Sequence, residues 1–263
     1  MEKRKGGKVG MKRKPYQGVV NIIRFNWHFY LIAGTAIASA WIWADAFPDG
    51  VRQLIVITAI FASFCIVTSL AVSLYIYDLS DLYHLKWLGN IGLQAHESRV
   101  LNIHAGFDEI SGILMHKYGK SAVTICDFYN PETHTEVSIK RARKAYPPHP
   151  ATITATADNL PFSDGAFDLA VVMLAAHEIR NREERMRFFK EIGRITGPSG
   201  SVVVTEHLRD INNFLAFSLG FFHFYKRASW LRTFEAAGLI VKQEIRSTPF
   251  ITTFILEQHG STS

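Results

Sequence analysis

Cysteine is nearly absent: Cys65 and Cys126 are the only two in 263 residues. That allows one disulfide at most and excludes the multi-bridge framework of a small secreted domain. Charge is absent from Leu54–Tyr77, and Trp27–Phe47 holds only His28 and Asp45. Both runs also lack the polar face that a surface helix of a soluble protein carries. At 1.5 Å rise per residue these 21 and 24 residues reach roughly 31 and 36 Å, matching a bilayer core of about 30 Å. Trp27, Trp41, Trp43, Tyr75 and Tyr77 near their ends fit interfacial aromatic belts. The runs therefore predict a transmembrane hairpin, the alternative being a buried hairpin of a soluble protein. A cleavable signal peptide is not expected, because the first run starts late, is long and is followed at once by the second.

What is abundant at the start is positive charge. Lys3, Arg4, Lys5, Lys8, Lys12, Arg13 and Lys14 face a single Glu2, while the connector after the first run, "PDGVR", carries one arginine. The asymmetry keeps the N-terminus on the cytoplasmic side, and two spans return the remainder of the chain there. The basic run reads as a topology signal that also meets anionic lipid head groups of the bilayer. A nucleic-acid partner is not expected. Four parts follow: residues 1–25, a basic cytoplasmic segment; 26–78, the hairpin; 79–97, an interfacial linker for which packing on the soluble domain is the alternative; and 98–260, a soluble domain.

In that last part, apolar strand-like runs alternate with helix-compatible stretches. "RVLNIHA", "AVTICDF", "ATITATA", "FDLAVVML" and "GSVVVTEH" predict five strands, and "IVKQEIRST" with "FITTFILEQ" an antiparallel pair. Helices are expected over "GFDEISGILMHKYG", "HTEVSIKRARKAY", "NREERMRFFKEIGRIT" and "SWLRTFEAAG", the third with Met186, Phe189 and Ile192 inward. Alternating strands and helices mean an α/β fold with a doubly wound, mostly parallel sheet, its ligands at the carboxyl ends of the strands.

Several short motifs are more specific. They are Leu160-Pro161-Phe162, Phe167-Asp168 opening the fourth strand, and Arg194 with Pro198-Ser199-Gly200 before the fifth. With "SWLRTFEAAGLIVKQEI" they resemble the class I S-adenosylmethionine-dependent methyltransferases, of the type-11 group that includes ubiquinone and menaquinone methyltransferases. The resemblance spans residues 95–258, implies a Rossmann-like methyltransferase fold, and does not reach the hairpin. It also implies S-adenosylmethionine as cofactor, held by a glycine-rich turn after the first strand, an acid after the second and an acid after the third. Glycine is scarce where that turn should be: its positions fall on His104, Gly106 and Asp108, and the acid inside strand one is replaced by Asn102. Asp127 is the counterpart of the ribose acid. The adenine acid falls on Thr156, with Asp158 two residues on as its substitute. Asp168 reads as a structural cap.

The residues themselves add a second pattern. His104, His177 and Glu178, and Glu206 and His207 follow the first, fourth and fifth strands, so a doubly wound sheet places them on one edge. General acid–base work, metal ligation and hydrogen bonding to loop backbone all remain open for them. No pair has zinc-finger or zincin spacing, and no metal is assigned. His177 and His207 are the candidate bases and Glu206 an orienting partner. Lys140, Arg141, Arg143 and Lys144 read as a solvated helix face, with lipid head groups as the alternative, and the apolar Asn213–Tyr225 as a substrate cover or a membrane rest. The expected protein is a two-span methyltransferase of the cell membrane, its domain cytoplasmic and its acceptor a lipophilic small molecule. The rival is a catalytically silent subunit that scaffolds a membrane protein complex.

Overall fold

The computed structural model describes residues 13–91 and 98–259. Arg13 and Lys14 fall within that range; the rest of the basic run lies outside the described residues. Two long helices, α1 (Gln17–Trp43) and α2 (Asp49–Leu74), pack along one another. Both are long and apolar enough to cross a membrane, by length and composition.

Helix α1 starts inside the segment expected to be a basic tail. Its first turns pack on the domain that follows the hairpin, burying Gly18, Asn21 and Phe25. The break comes at Asn26, whose backbone leaves the helical region (φ −113°, ψ 16°). Beyond it Phe29, Leu31 and Ile32 stand exposed. Arg141 Nη1 donates to the Phe25 carbonyl at 2.6 Å, meeting the acceptor that the kink frees. The start of α1 is capped from afar. Asp78, in the π-helical turn Tyr75–Leu79 after α2, accepts from the Gly18 and Val19 N–H groups at 2.7 and 2.8 Å. Asp78→Ala is expected to cost about 1–2 kcal/mol in a detergent melt, the scale of a lost cap, with Asp78→Asn costing less.

The segment expected as an interfacial linker is instead part of the core over its described residues. Two 3₁₀ turns, Leu82–His84 and Lys86–Ile91, bury Leu82, Leu85, Trp87 and Leu88. The domain follows as β1 (Val100–His104), α3 (Ser111–Tyr118), β2 (Val123–Asp127), α4 (Val137–Ala145), β3 (Thr152–Thr154), β4 (Leu169–Met173), α5 (Arg182–Thr196), β5 (Ser201–His207), α6 (Ile211–Phe217), α7 (Arg227–Ala236), β6 (Leu239–Thr248) and β7 (Ile251–Gln258). Seven strands in the order β3-β2-β1-β4-β5-β7-β6 make one sheet. All pairings are parallel except those of β7 with β5 and β6.

Strand alternation sorts the core into two layers. Leu101, Ile103, Ala170, Val172, Val202 and Val204 face α5 and α7 through Phe188, Phe189, Trp230 and Phe234. Val100, Leu169, Val171 and Val203 face α3 and the linker through Leu114, Tyr118, Leu85, Trp87 and Leu88. The linker thus covers sheet that would otherwise lie bare. In α5, Phe188 and Arg185 are buried, whereas Met186, expected inward, is half-buried.

The short motifs have physical reasons. Arg194, in the last turn of α5, donates to the Leu160 and Phe162 carbonyls at 3.0 and 2.7 Å, fixing the Leu-Pro-Phe turn against the helix. Asp168 accepts from the Arg99 backbone N–H at 2.7 Å and pairs with its guanidinium, the structural role expected for it.

Candidate active site

The carboxyl ends of β1, β4 and β5 open onto a cavity of about 250 Å³, at the switch point between β1 and β4. Common ligand pockets run about 300–1,000 Å³, so this one is small. One wall comes from outside the Rossmann-like domain: Gly18, Asn21, Ile22, Phe25 and Asn26 of α1 line it.

The loop after β1 is held by its own side chains. Gly106 has φ +85°, and a Cβ there would meet Arg143 Cδ at 2.9 Å and the Tyr129 ring at 3.0 Å, so only glycine suits the position. Asp127 Oδ1, at the end of β2, accepts from the Gly106 and Tyr129 N–H groups at 2.8 and 2.9 Å. Its Oδ2 is taken by the Arg143 guanidinium from α4. Asn102 donates to Asp108 Oδ1 at 3.0 Å and Ser111 Oγ at 2.8 Å, and Asp108 Oδ1 also accepts from the Ile110 and Ser111 N–H groups at the start of α3. Asp108, expected as a cofactor ligand, spends that oxygen on the loop and the helix start. His104 is different. It is 3% exposed, lines the cavity, and neither ring nitrogen has a hydrogen-bond partner among the described residues. Burial lowers its pKa and favours the neutral ring. Asp158 does not line the cavity; its half-exposed carboxylate lies 3.8 Å from Arg187 on the surface.

The histidines at the other strand ends do converge. His177 Nδ1 lies 2.7 Å from Glu206 Oε2, and its Nε2 3.1 Å from Glu178 Oε1. Burial opposes a charged His177, yet the Glu206 and Glu178 carboxylates outweigh it and raise its pKa well above the ordinary range. A ring so held favours its protonated form, which weakens it as the base the sequence reading made of it. Burial also opposes a charged Glu178, but hydrogen bonds from His177 and His223 hold its pKa well below the usual carboxylate range.

His207 behaves oppositely. It is 4% exposed, hydrogen-bonded at Nδ1 to Asn213 Oδ1 (3.0 Å) and at Nε2 to Tyr77 Oη (2.9 Å), and stacked on Phe224. Desolvation pushes its pKa down to about 4, so it is neutral in the fold. The unfolded chain binds a proton near the ordinary 6.5. The contribution of His207 to stability is therefore full above pH 6.5 and lost as pH falls toward 4, by about 3 kcal/mol. Melts of the unaltered chain and His207→Gln across pH 4–7 should converge at the acid end; parallel curves would refute this.

Tyr77, Glu136, Arg143 and His223 also belong to the site and escaped the sequence reading. Tyr77 read as an interfacial aromatic, Arg143 as one charge on a solvated face, and His223 as part of an aromatic run. Glu136 gave no signal at all. His223 Nδ1 lies 3.0 Å from Glu136 Oε1 and Nε2 3.8 Å from Glu178 Oε1. One ligand atom from each of His177, Glu178 and His223 lies within 4.8 Å of the others.

This edge geometry has a known setting. Residues 105–204 match the family described as "Methyltransferase domain". The match covers 100 of the 263 residues, and over them the chain is similar to that family. Its sheet order, with β7 antiparallel between β5 and β6, is the Rossmann-like methyltransferase arrangement expected from the motifs. Similar solved structures include an S-adenosylmethionine-dependent methyltransferase from Aquifex aeolicus, at 15% identity over 65% of this chain and 87% of that one, TM-score 0.49. One from Methanosarcina mazei is similar at 18%, 66%, 96% and 0.47. Another, from Mesorhizobium loti, is similar at 16%, 65%, 96% and 0.46. No curated protein matches the chain.

S-adenosylmethionine is the cofactor that the resemblance implies, and the residues fit it with one rearrangement. Gly106 leaves the close backbone approach the cofactor needs, and His104 offers buried nitrogens with no hydrogen-bond partner among the described residues, its Nδ1 3.6 Å from Asp127 Oδ1. Asp127 stands at the ribose position, but Arg143 must release its outer oxygen first.

Proposed function

We propose that this chain is a membrane-anchored S-adenosylmethionine-dependent methyltransferase whose acceptor is a lipophilic small molecule taken from the cytoplasmic membrane surface. The observation that carries the reading is the continuity of α1. The helix whose first turns line the cavity runs on, past the Asn26 kink, as one of two exposed apolar helices. The cavity therefore sits at the foot of the hairpin. The cover adds support: α6 packs against α2, while Ile211, Leu215 and Leu219 nearby remain 66%, 66% and 80% exposed. Apolar surface concentrated beside an apolar hairpin suits contact with lipid.

When bound, S-adenosylmethionine supplies an electrophilic methyl group on a sulfonium that leaves readily. The protein's tasks are then alignment of the acceptor, exclusion of water and removal of a proton. Neutral His207, bonded to Tyr77 Oη at the cavity wall, accepts that proton through the tyrosine hydroxyl. Phe25 and Phe107, edge to face at 5.7 Å, give an apolar seat for the acceptor.

A second reading, the silent scaffold of a membrane complex, is favoured by one observation: Arg143 occupies the ribose carboxylate. Melting the detergent-purified chain with S-adenosylmethionine or S-adenosylhomocysteine separates the two. Binding at a hundred times the dissociation constant adds about 2.7 kcal/mol to the native state. A rise in melting temperature with either ligand supports the enzyme; none with both leaves the scaffold. Topology is checked by reporter fusions at Gly50 and at the C-terminus, expected on opposite faces of the membrane. The same face for both would remove the hairpin from the reading.

A further inference from the structure

We propose that His177, Glu178 and His223 form a binding site for a single divalent transition-metal ion in the wall of the cavity. His177 and Glu178 lie on the 3₁₀ turn Ala176–Glu178 after β4, and His223 ends the turn Ser218–His223 after α6. An imidazole ligates a metal through one neutral nitrogen while a carboxylate commonly holds the other, fixing tautomer and ring orientation. Both histidines have that arrangement. Glu206 holds His177 Nδ1 at 2.7 Å, and Glu136 holds His223 Nδ1 at 3.0 Å. The two Nε2 atoms are left facing the same oxygen, Glu178 Oε1, at 3.1 and 3.8 Å.

Ligand atoms on a tetrahedral ion with bonds of about 2.0–2.1 Å stand about 3.3 Å apart, and these spacings straddle that value. An ion pair alone would account for His177 beside Glu178. A second histidine, backed by its own carboxylate, also brings its remaining nitrogen to 3.8 Å from that atom, although Arg180 Nη2 is its nearer neighbour at 2.7 Å. Two histidines and one carboxylate form a set that zinc, iron and manganese accept with open positions. Here the open positions face the cavity, where a water or an anionic oxygen of a small molecule completes the shell.

Charge points the same way. Glu136, Glu178 and Glu206 bring three carboxylates to this corner against the Arg180 guanidinium and the His177 ring, and a divalent cation bound there takes the place of the proton on His177. Arg180 Nη1 also donates to the His223 carbonyl at 2.7 Å, fixing the turn that carries the histidine. Its Nη2 stands 2.7 Å from His223 Nε2, a contact that this 42%-exposed side chain must give up for the ion to bind. The inference does not rest on methyl transfer, and its test uses neither cofactor nor acceptor.

The full chain, purified in detergent, stripped with a chelator and dialysed, is titrated with Co²⁺ and then Zn²⁺. One Co²⁺ per chain with visible d–d absorption, displaced by Zn²⁺, is the expected result, with a melting temperature that rises on binding. His223→Ala and Glu178→Gln should each weaken Co²⁺ binding about 100-fold or more. Glu136→Gln, which removes only the carboxylate behind His223, should weaken it about 10–100-fold. His149→Ala, at the exposed turn before β3, should leave it unchanged. His223 is partly exposed on a surface turn, so His223→Ala is expected to fold, and its melt confirms that. Absence of stoichiometric Co²⁺ and Zn²⁺ binding in the folded wild-type chain overturns the site, as does binding that His223→Ala and Glu178→Gln leave intact.

Discussion

Arg143→Ala should bind S-adenosylmethionine about tenfold or more tightly than the unaltered chain, and Asp127→Asn should bind it about tenfold or more weakly. The opposite signs come from one ion pair. Arg143 occupies Asp127 Oδ2, and its Cδ fills the space beside Gly106 that a Cβ would need. Removing the side chain frees a carboxylate oxygen for the ribose hydroxyls, opens the loop, and withdraws a positive charge from a cationic ligand. Hydrogen bonds to a charged group contribute about 1.5–3 kcal/mol, which corresponds to roughly ten- to 150-fold in affinity. The loop survives the loss of Arg143, because Oδ1 still accepts from Gly106 and Tyr129. An asparagine amide oxygen at residue 127 keeps those two bonds while losing the charge, so the fold is spared and the affinity is not. Calorimetry on both variants measures the pair. Weaker binding by Arg143→Ala would mean that the arginine itself holds the cofactor.

The strands were legible because period and composition agree: five apolar runs and a terminal pair became β1–β7 with small shifts at the ends. Gly106 and Asp127 were named from the resemblance, and the structure places them in the loop after β1 and at the end of β2, joined by a hydrogen bond. Asp108 and Asn102 were not legible, because a carboxylate that caps a helix start and one that meets a ligand look alike in a sequence. Asp158 lies on the surface beside Arg187, a placement that counting residues past β3 does not give. Convergence of His177 with Glu206 followed from adjacent strands β4 and β5. His223 and Glu136 reach the same corner through loops, and no spacing encodes that.

Where sequence and structure part most is at the hairpin. Read as composition, it is an anchor that ends before a separate domain begins. In the structure its ends are site and core. Tyr77 holds His207, Asn21 and Phe25 wall the cavity, and Arg13, ahead of α1, pairs with Glu109 of the β1 loop at 2.8 Å. Tyr83 donates to the same Glu109 at 2.6 Å. These are pairings over 26 to 130 residues, the class of contact that local patterns do not carry.

Cutting the chain at residue 98, the boundary its composition suggests, is therefore expected to destroy the fold rather than release a soluble enzyme. The cut removes Ile76, Leu82, Leu85, Trp87 and Leu88, each 4% exposed or less, and bares the sheet face they cover. Burying a large apolar side chain contributes about 1.5–3 kcal/mol, so five such losses approach or exceed the roughly 5–15 kcal/mol that holds a domain together. The buried His207 would lose Tyr77 as well. Removing only residues 29–70, and joining the two stumps, should have the opposite result. Packed helices run about 8–10 Å apart, and a six-residue glycine–serine linker spans about 13 Å, so the ends meet without strain. This variant keeps the cavity wall of α1, the Asp78 cap and the linker layer, and it loses the exposed apolar surface. Circular dichroism and a melt should show a cooperative fold for the excision and none for the 98–263 fragment. A stable, cooperatively melting fragment would mean that the hairpin base is an ornament on the domain and not a layer of it.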